Sequence, residues 1–372
     1  MNPIRVLVVD DSIVVRKIVT DVLSQDPGIE VVGTAVNGKL AVGKVEQLKP
    51  DLVTMDIEMP EMNGIQAVAA IRATRSRVPI IMFSTLTERG ASATLDALSA
   101  GANDYVTKPA NVGSVAQSME SVREQLIPKI KALTGRPVTT GPARAAAPLV
   151  PVRPAAPRSA PVEKPAILVI GSSTGGPEAL AKVLPALPAS LPVPVLLVQH
   201  MPPVFTKQFA QRLDRLSALR VVEAVDGTPL APGTVHLAPG DHHLTLRTSP
   251  RGNATMLTQG PPENFCRPAV DPLFRSAVDA HRGAVLAVVL TGMGSDGKLG
   301  AARIREAGGS VVVQDQATSV VWGMPGAVAS AGLADEILPL DRIAETIVRR
   351  LTGPTLSTAP SRTSVLATGG VR

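Results

Sequence analysis

Short apolar segments alternate with helical patterns along the first 125 residues of the chain. Five of these segments predict strands, and five amphipathic patterns predict helices, the last beginning near Val112. Strands that alternate with helices are typical of a doubly wound parallel sheet, so we expect an α/β domain over residues 1–125. The predicted strands and first four helices are Ile4–Val9, Ser12–Ser24, Glu30–Ala35, Lys39–Leu48, Leu52–Met55, Asn63–Ala73, Ile80–Ser84, Ala91–Ala100 and Asp104–Thr107.

The same alternation returns in the second half of the chain. Four further apolar segments predict buried strands, and a second doubly wound parallel α/β domain is expected over residues 166–352. Residues 221–262 are richer in Gly, Pro and Thr, which favours turns and small antiparallel pieces there. The predicted strands are Ile167–Ile170, Val193–Val198, Ala284–Leu290 and Ser310–Gln314.

Two segments lack any such pattern. Residues 126–165 are rich in Pro, Ala and Arg and predict an extended linker, while residues 353–372 predict a disordered tail. The net charge of +6 is concentrated in residues 129–165, which hold seven basic residues and one acidic residue. The rest of the chain is therefore close to neutral, and only 2% of all residues are aromatic. This distribution argues against nucleic acid as a partner.

Cysteine content and hydropathy point to the cytoplasm. Cys266 is the only cysteine, so an internal disulfide is excluded. Asp10 and Asp11 directly follow the first apolar segment, which is unlike a secretory signal. No uninterrupted apolar stretch approaches the roughly 20 residues of a membrane helix. We expect a cytoplasmic protein without membrane insertion.

Acidic residues follow two strands of the first domain. Asp10 and Asp11 end the first strand and Asp56 ends the third, so these carboxylates are expected to meet at one edge of the sheet. Their mutual repulsion would be relieved by a hard divalent cation, and oxygen-only ligation suits Mg²⁺. Lys108 would supply a cation and Ser84 a hydroxyl to an incoming phosphate. The alternative is that these acids only cap helices.

Three polar clusters end strands of the second domain. Ser173 lies in Gly171–Gly175, which matches the nucleophile pattern G-x-S-x-G between a strand and a helix. His200 and Asp296 follow two other strands, so a nucleophile, a base and an orienting carboxylate are predicted in one crevice. Each could instead have a structural role, Ser173 and Asp296 as helix caps and His200 as a loop histidine.

Two other kinds of site also match local patterns in this domain. The segment Gly292–Gly297 fits the dinucleotide pattern G-x-G-x-x-G, with Asp315 near the position of a ribose-binding acid. Asp296 would however place a negative charge beside the pyrophosphate, so this interpretation is disfavoured. A metal cluster is disfavoured as well, because adjacent residues on a strand point to opposite faces, and we expect no cofactor in this domain. Its candidate ligands are His236, Asp241, His242 and His243.

The motifs of the first domain resemble those of response-regulator receiver domains. They are Val8–Ser12, Asp56–Gly64 and Tyr105–Pro109. The resemblance implies that Asp56 accepts a phosphoryl group from a histidine kinase. It also implies that Asp11, Asp56 and the backbone carbonyl of Glu58 hold Mg²⁺, with Asp10 assisting through water. Ser84 and Tyr105 fall at the two switch positions of that family.

The second domain resembles the chemotaxis protein-glutamate methylesterases. The motifs that carry this resemblance are Ile170–Pro177, Gln199–Met201, Leu237–His243 and Leu290–Gly297. It implies hydrolysis of glutamate methyl esters on chemoreceptor helices, deamidation of receptor glutamines, and phosphorylation by a chemotaxis histidine kinase.

The methylesterase hypothesis assigns catalysis to three residues and oxyanion binding to two more. Ser173 is the expected nucleophile, His200 the base and Asp296 the orienting acid. Backbone amides near Thr174 and Met293 are the expected oxyanion donors. The resemblance further implies that the unphosphorylated receiver covers this site. The alternative is a phosphorylation-controlled binding regulator without enzymatic activity.

Overall fold

The computed structural model describes residues 2–108, 115–135, 164–250 and 252–353. The first unit is built on a parallel sheet of five strands. These are β1 (Ile4–Val9), β2 (Ile29–Ala35), β3 (Leu52–Asp56), β4 (Ile80–Ser84) and β5 (Asp104–Thr107). Their order is β2-β1-β3-β4-β5, which places β1 and β3 side by side at the centre and confirms the predicted doubly wound fold.

Five helices cover the two faces of this sheet. They are α1 (Ile13–Ser24), α2 (Gly38–Leu48), α3 (Gly64–Ala73), α4 (Glu88–Ser99) and α5 (Val115–Leu133). Thr87 caps α4, which therefore starts before the predicted Ala91. The predicted start of α5 at Val112 lies outside the described residues. The helix continues past residue 125 to Leu133 because Leu126 and Ile130 are buried in the core of this unit.

The second unit contains a parallel sheet of seven strands and a separate hairpin. The sheet order is β14-β13-β12-β6-β7-β9-β8, and the hairpin pairs β10 with β11. The strands β6 and β12 lie next to each other, and β7 borders β6 on its other side. These strands are β6 (Ile167–Ser172), β7 (Val195–Gln199), β8 (Arg220–Glu223), β9 (Thr234–Leu237), β10 (His243–Ser249), β11 (Gly252–Thr258), β12 (Val285–Val289), β13 (Ser310–Gln314) and β14 (Glu336–Leu338).

The prediction for residues 221–262 is confirmed only in part. The hairpin of β10 and β11 is antiparallel as expected. The strand β9, however, pairs in parallel with β7 and β8, so the expectation of only turns and antiparallel pieces was wrong there. Only four residues long, β9 is too short to show a period in the sequence, and it joins the sheet because Val235 and Leu237 bury completely.

Six helices of the second unit complete the fold. The N-cap of α9 is Gly297, so Asp296 does not cap that helix. Among the helices of the described ranges, none combines the length and apolar composition that crossing a bilayer demands. The helices are α6 (Gly176–Val183), α7 (Phe205–Leu216), α8 (Val270–His281), α9 (Lys298–Glu306), α10 (Met324–Ser330) and α11 (Leu340–Thr352).

The two units share one interface. The rings of Tyr105 on β5 and Phe205 on α7 are stacked, with centroids 4.9 Å apart and planes 7° from parallel. Arg212 on α7 reaches α4, where it lies 2.7 Å from both the Asp96 carboxylate and the Ser99 hydroxyl. The surface of the first unit that is formed by α4 and β5 is therefore in contact with the second unit. Residues 136–163 of the predicted linker and 354–372 of the predicted tail lie outside the described ranges.

Candidate active site

Adjacent strands place Ser173 and His200 at the carboxyl edge of the second sheet. Ser173 follows β6 directly, and its backbone amide donates to the Thr291 carbonyl beyond β12 at 3.0 Å. His200 follows β7, and its amide donates to the Ser172 carbonyl at 3.1 Å. The sheet order thus brings the three predicted polar clusters together, as expected from parallel strands.

Gln199 holds the backbone around Ser173 and was missed by sequence reasoning. Its amide nitrogen donates to the carbonyls of Ser173 and His200, at 3.0 and 3.1 Å. Its side-chain oxygen accepts from the Ser172 hydroxyl at 2.7 Å. A Cβ at Gly176 would lie 2.0 Å from that oxygen, so only glycine fits there. Gly176 therefore has two roles, since it leaves space for the Gln199 side chain and it is the first residue of α6.

The imidazole of His200 is held at both nitrogens. Nε2 lies 2.8 Å from Asp296 Oδ2, and Nδ1 lies 3.4 Å from Cys266 Sγ. Burial favours the neutral ring, but the bonds to Asp296 and Cys266 outweigh it and raise the pKa of His200. Asp296 therefore occupies Nε2, while the contact of Nδ1 is the weaker one to the Cys266 thiol. The raised pKa means that the resting arrangement favours the imidazolium.

Asp296 is buried and accepts hydrogen bonds on both oxygens. Oδ2 also accepts from the Val270 amide at 2.6 Å, and Oδ1 accepts from the amides of Asp271 and Gly297 at 3.0 and 2.9 Å. Burial would raise its pKa, but the bond to His200 and these amides lower the pKa of Asp296 below its ordinary value. Asp296 thus accepts the first two amides of α8 from outside that helix, and it remains ionised beside the imidazole.

Asn264, in the loop before α8, and Asp271, in the first turn of α8, lie against Asp296, and sequence reasoning selected neither. Asn264 Nδ2 donates to Asp296 Oδ1 at 3.1 Å and to Asp271 Oδ2 at 3.2 Å. Burial and the nearby charge of Asp296 raise the pKa of Asp271 to about 6. An asparagine seven residues before an aspartate carries no recognisable sequence signal. Only the fold reveals that both lie against the carboxylate.

The alternative sites of this domain find other uses in the structure. Asp315, the candidate ribose acid, accepts from the amide and hydroxyl of Thr318. Asp241 pairs with Arg267, and both ring nitrogens of His243 are engaged by backbone atoms of residues 261 and 269. Within the described residues, the candidate metal clusters contain none of the second-unit histidines. Neither a dinucleotide site nor a zinc site is supported by these contacts.

Thr174 directly follows the nucleophile, and Met293 follows Gly292, at which an added Cβ would lie 3.1 Å from the Ser173 amide nitrogen. Thr174 is buried, and its carbonyl accepts from the Thr291 hydroxyl at 2.9 Å. Its own hydroxyl donates to Asp104 of the first unit at 2.7 Å, with Lys129 2.9 Å from the same carboxylate oxygen. Met293 is partly buried in the loop that follows Thr291. Their amides stay predicted oxyanion donors.

The acidic residues of the first unit lie together as predicted. Asp10, Asp11 and Asp56 each place a carboxylate oxygen within 4.8 Å of the others. Lys108 Nζ lies 3.0 Å from Asp10 and 2.8 Å from Asp56. Burial, followed by the charge of Asp10, raises the pKa of Asp56 to about 6 despite the ammonium of Lys108. Three carboxylates against one ammonium leave a site whose charge and oxygen ligands fit Mg²⁺.

The remaining predicted receiver residues surround this cluster. The Glu58 side chain is exposed, 3.5 Å from Arg89, so it is free of the acidic cluster and only its backbone carbonyl is a candidate ligand. The Ser84 hydroxyl is buried and donates to the Gly90 carbonyl at 3.1 Å, towards α4. Tyr105 is buried at the interface, where burial raises the pKa of its hydroxyl. Both switch positions thus contact elements that face the second unit.

Comparison with known proteins agrees with this arrangement. The family described as response regulator receiver domain matches residues 6–120, and the family described as CheB methylesterase matches residues 168–347. A protein-glutamate methylesterase/protein-glutamine glutaminase of Nocardioides sp. is 65% identical over 363 residues, which cover 97% of this chain and 99% of the relative.

Further relatives have the same description. A protein-glutamate methylesterase/protein-glutamine glutaminase of Trichodesmium erythraeum is 50% identical and covers 94% of this chain and 100% of its own. The solved catalytic domain of a Thermotoga maritima CheB methylesterase is 45% identical, with a TM-score of 0.49, over 50% of this chain and 98% of that domain. The chain therefore belongs to the family of receiver-linked CheB protein-glutamate methylesterases.

Proposed function

We propose that this protein is a phosphorylation-regulated protein-glutamate methylesterase that hydrolyses glutamate methyl esters on chemoreceptors and deamidates receptor glutamines. The observation that carries the proposal is the 2.8 Å pair of His200 and Asp296 beside the strand end that holds Ser173. A buried carboxylate on one ring nitrogen leaves the other to act as a base. This function serves adaptation in chemotaxis signalling in the cytoplasm.

In the proposed reaction, Ser173 attacks the γ-carbonyl of the ester. Nδ1 of His200 takes the serine proton as the C–O bond forms, and Asp296 stabilises the imidazolium through Nε2. The imidazolium then protonates the leaving methoxide, so methanol departs and an acyl-serine remains. Water then gives a proton to Nδ1 as it attacks the acyl group, and the imidazolium returns a proton to Ser173 Oγ as the acyl C–O bond breaks, which releases glutamate and regenerates serine and the neutral ring. With a glutamine substrate the leaving group is ammonia.

Backbone amides supply the remaining stabilisation in this mechanism. Those of Thr174 and Met293 are the proposed donors to the carbonyl oxygen on which negative charge develops. One such donor lowers the barrier by roughly 3 kcal/mol in comparable sites. Because no side chain provides this contribution, the loop conformations on both sides of Ser173 matter as much as residue identity.

Two adjacent serines allow a sharp test of the nucleophile. Purified Ser173→Ala protein is expected to release no methanol from methylated receptors and to escape labelling by a fluorophosphonate. Ser172→Ala is the matched control, since its hydroxyl is bonded to Gln199 inside the sheet, and it should still be labelled. Labelling of neither wild type nor control would favour the alternative of a non-enzymatic binding regulator.

Phosphorylation is proposed to occur on Asp56 from a chemotaxis histidine kinase. Asp10, Asp11 and Asp56, with the Glu58 carbonyl, would hold Mg²⁺, which supplies positive charge against the incoming phosphoryl oxygens. Lys108 already bridges Asp10 and Asp56, so it is placed to contact the phosphoryl group when it arrives.

We further infer that the receiver restrains the esterase through Asp104. Its carboxylate accepts from the hydroxyl of Thr174, the residue after the nucleophile, and both side chains are buried. A hydrogen bond to a charged group contributes about 1.5–3 kcal/mol. Asp104→Ala should therefore raise the equilibrium constant for opening of the two units by roughly ten- to hundredfold. Arg212→Ala removes a more exposed contact and should have a much smaller effect.

The test is methanol release without a phosphodonor. The Asp104→Ala protein should approach the rate of the phosphorylated wild type, while the Arg212→Ala protein should stay near the unphosphorylated rate. Equal basal rates in wild type and Asp104→Ala would show that this contact does not restrain the enzyme.

A further inference from the structure

Phe265 is the most exposed large apolar side chain of the described residues, with a relative exposure of 104%. It lines a cavity of about 340 Å³ together with His200 and Cys266. Tyr105 and Lys129 of the receiver also line this cavity. Single exposed apolar residues are common on protein surfaces, so the significance of Phe265 depends on how the chain holds it.

The backbone holds Phe265 in a tight turn that disfavours it. Glu263 and Cys266 exchange two backbone hydrogen bonds, at 3.1 and 2.9 Å, around Asn264 and Phe265. Both central residues have positive φ, 51° and 63°. Asparagine tolerates this conformation, but phenylalanine does not, and glycine is the residue preferred at its position. An aromatic ring is therefore kept in solvent at a position where glycine would relieve strain.

The same turn is fixed to the catalytic residues. Asn264 donates to the Asp296 carboxylate, and Cys266 lies 3.4 Å from His200 Nδ1. Glu263 forms a two-bond ion pair with Arg275 on α8, at 3.0 and 2.6 Å. Since each neighbour of Phe265 is tied to the active site or to α8, the ring has a defined place relative to the reacting atoms.

We propose that Phe265 is a specificity-determining residue that anchors the protein substrate by packing on an apolar side chain of the receptor helix. This proposal rests on the proposed esterase function. Residues three or four positions apart on a helix have Cβ atoms about 5–6 Å apart. A glutamyl ester that enters the cavity beside His200 therefore carries a residue of the neighbouring turn towards Phe265.

Tyr105 and Lys129 leave the cleft when the receiver separates from the second unit, whereas Phe265, His200 and Cys266 stay together. A helix about 10 Å across can then place one side chain beside His200 while its surface meets Phe265 at the rim. The rim is where Phe265 projects, uncovered by the receiver. Aromatic rings supply large contact areas at little conformational cost, which suits an anchor for a helix surface.

The experiment compares a protein substrate with a small one. Phe265→Gly keeps the turn, because glycine accepts positive φ, and Phe265→Ala gives a second removal of the ring. We measure kcat/KM for the methylated cytoplasmic fragment of a chemoreceptor and for a soluble glutamyl methyl ester. In both variants kcat/KM for the receptor fragment should fall at least tenfold, through a higher KM. Their kcat/KM for the small ester should stay within twofold of wild type. Val225→Ala is the matched control, since Val225 is exposed but does not line the cleft.

The outcomes separate the anchor from the esterase itself. Receptor turnover by both variants within twofold of wild type would overturn the anchor. Equal losses on both substrates would also overturn it, because the ring would then act through His200. Absence of wild-type turnover on both substrates would refute the proposed function, and the anchor with it.

Discussion

Asp296→Asn tests the proposed mechanism most directly, because the replacement keeps the size of the side chain and changes only its hydrogen bonding. Three donors point at Oδ1, whereas Oδ2 meets only the Val270 amide and the imidazole. The new NH₂ group is therefore expected at the Oδ2 position, where it conflicts with fewer donors. It then donates to His200 Nε2, so the ring proton moves to Nδ1.

The expected cost follows from that tautomer. With a proton on Nδ1, His200 cannot take the proton of Ser173, and the carboxylate that stabilised the imidazolium is gone. The equivalent replacement in a comparable triad lowers kcat by about 10⁴, or about 5 kcal/mol in the barrier. Stability should fall by roughly 2 kcal/mol because the amide of Val270 loses a charged acceptor.

The assay is methanol release by the purified variant, with thermal unfolding measured in parallel. The matched control is Asp315→Asn, which alters a carboxylate that caps a turn after β13 and touches no catalytic residue. We expect wild-type activity from the control. An Asp296→Asn protein that folds and keeps more than a tenth of wild-type activity would refute the orienting role of Asp296.

Three further predictions concern the receiver and the base. Gly64→Ala should destabilise the receiver and prevent phosphorylation, because a Cβ at Gly64 would lie 2.0 Å from the Asp56 carbonyl oxygen. Stability is measured by calorimetry, with Gly43→Ala as the control, since a Cβ at Gly43 would meet no atom within 4 Å. Mg²⁺ should raise the unfolding temperature of wild type but not of Asp11→Asn, since three clustered carboxylates repel one another without it; equal shifts would contradict the assignment of Asp11. Esterase rates of unphosphorylated protein should rise with pH above 7, because His200 must lose the proton that its raised pKa retains; a pH–rate profile that is flat from pH 7 to 9 would show that the base is already neutral.

The strand-end residues could be predicted because parallel strands present their carboxyl ends at one edge. That rule placed Asp10 beside Asp56, and Ser173 near His200, without any knowledge of distances. A separate argument, the negative charge of Asp296, disfavoured the dinucleotide site. Asp10, Asp56, Ser173 and His200 share one property, namely that each ends a buried strand or directly follows one.

Residues that reach the site from loops or from the other unit could not be found in this way. Asn264 and Cys266 lie in a tight turn whose approach to His200 depends on how α8 packs against the sheet. The contact of Asp104 with Thr174 depends on the relative orientation of two units, which no local pattern encodes. The strand β9 was missed for a different reason, since four residues are too few to establish a period.

The stack of Tyr105 on Phe205 has a consequence for competition between binding partners. Two units of one chain meet at an effective concentration that can reach the millimolar range. Another protein that binds the Tyr105 surface of the receiver must therefore have a Kd far below the millimolar range to displace Phe205. A weaker partner can bind there only after the two units have separated. Asp56, the proposed phosphorylation site, lies at the carboxyl edge of the sheet instead, so a phosphodonor that binds there would not compete with Phe205. The receiver can thus accept its signal at one surface while the other remains occupied by its own enzyme.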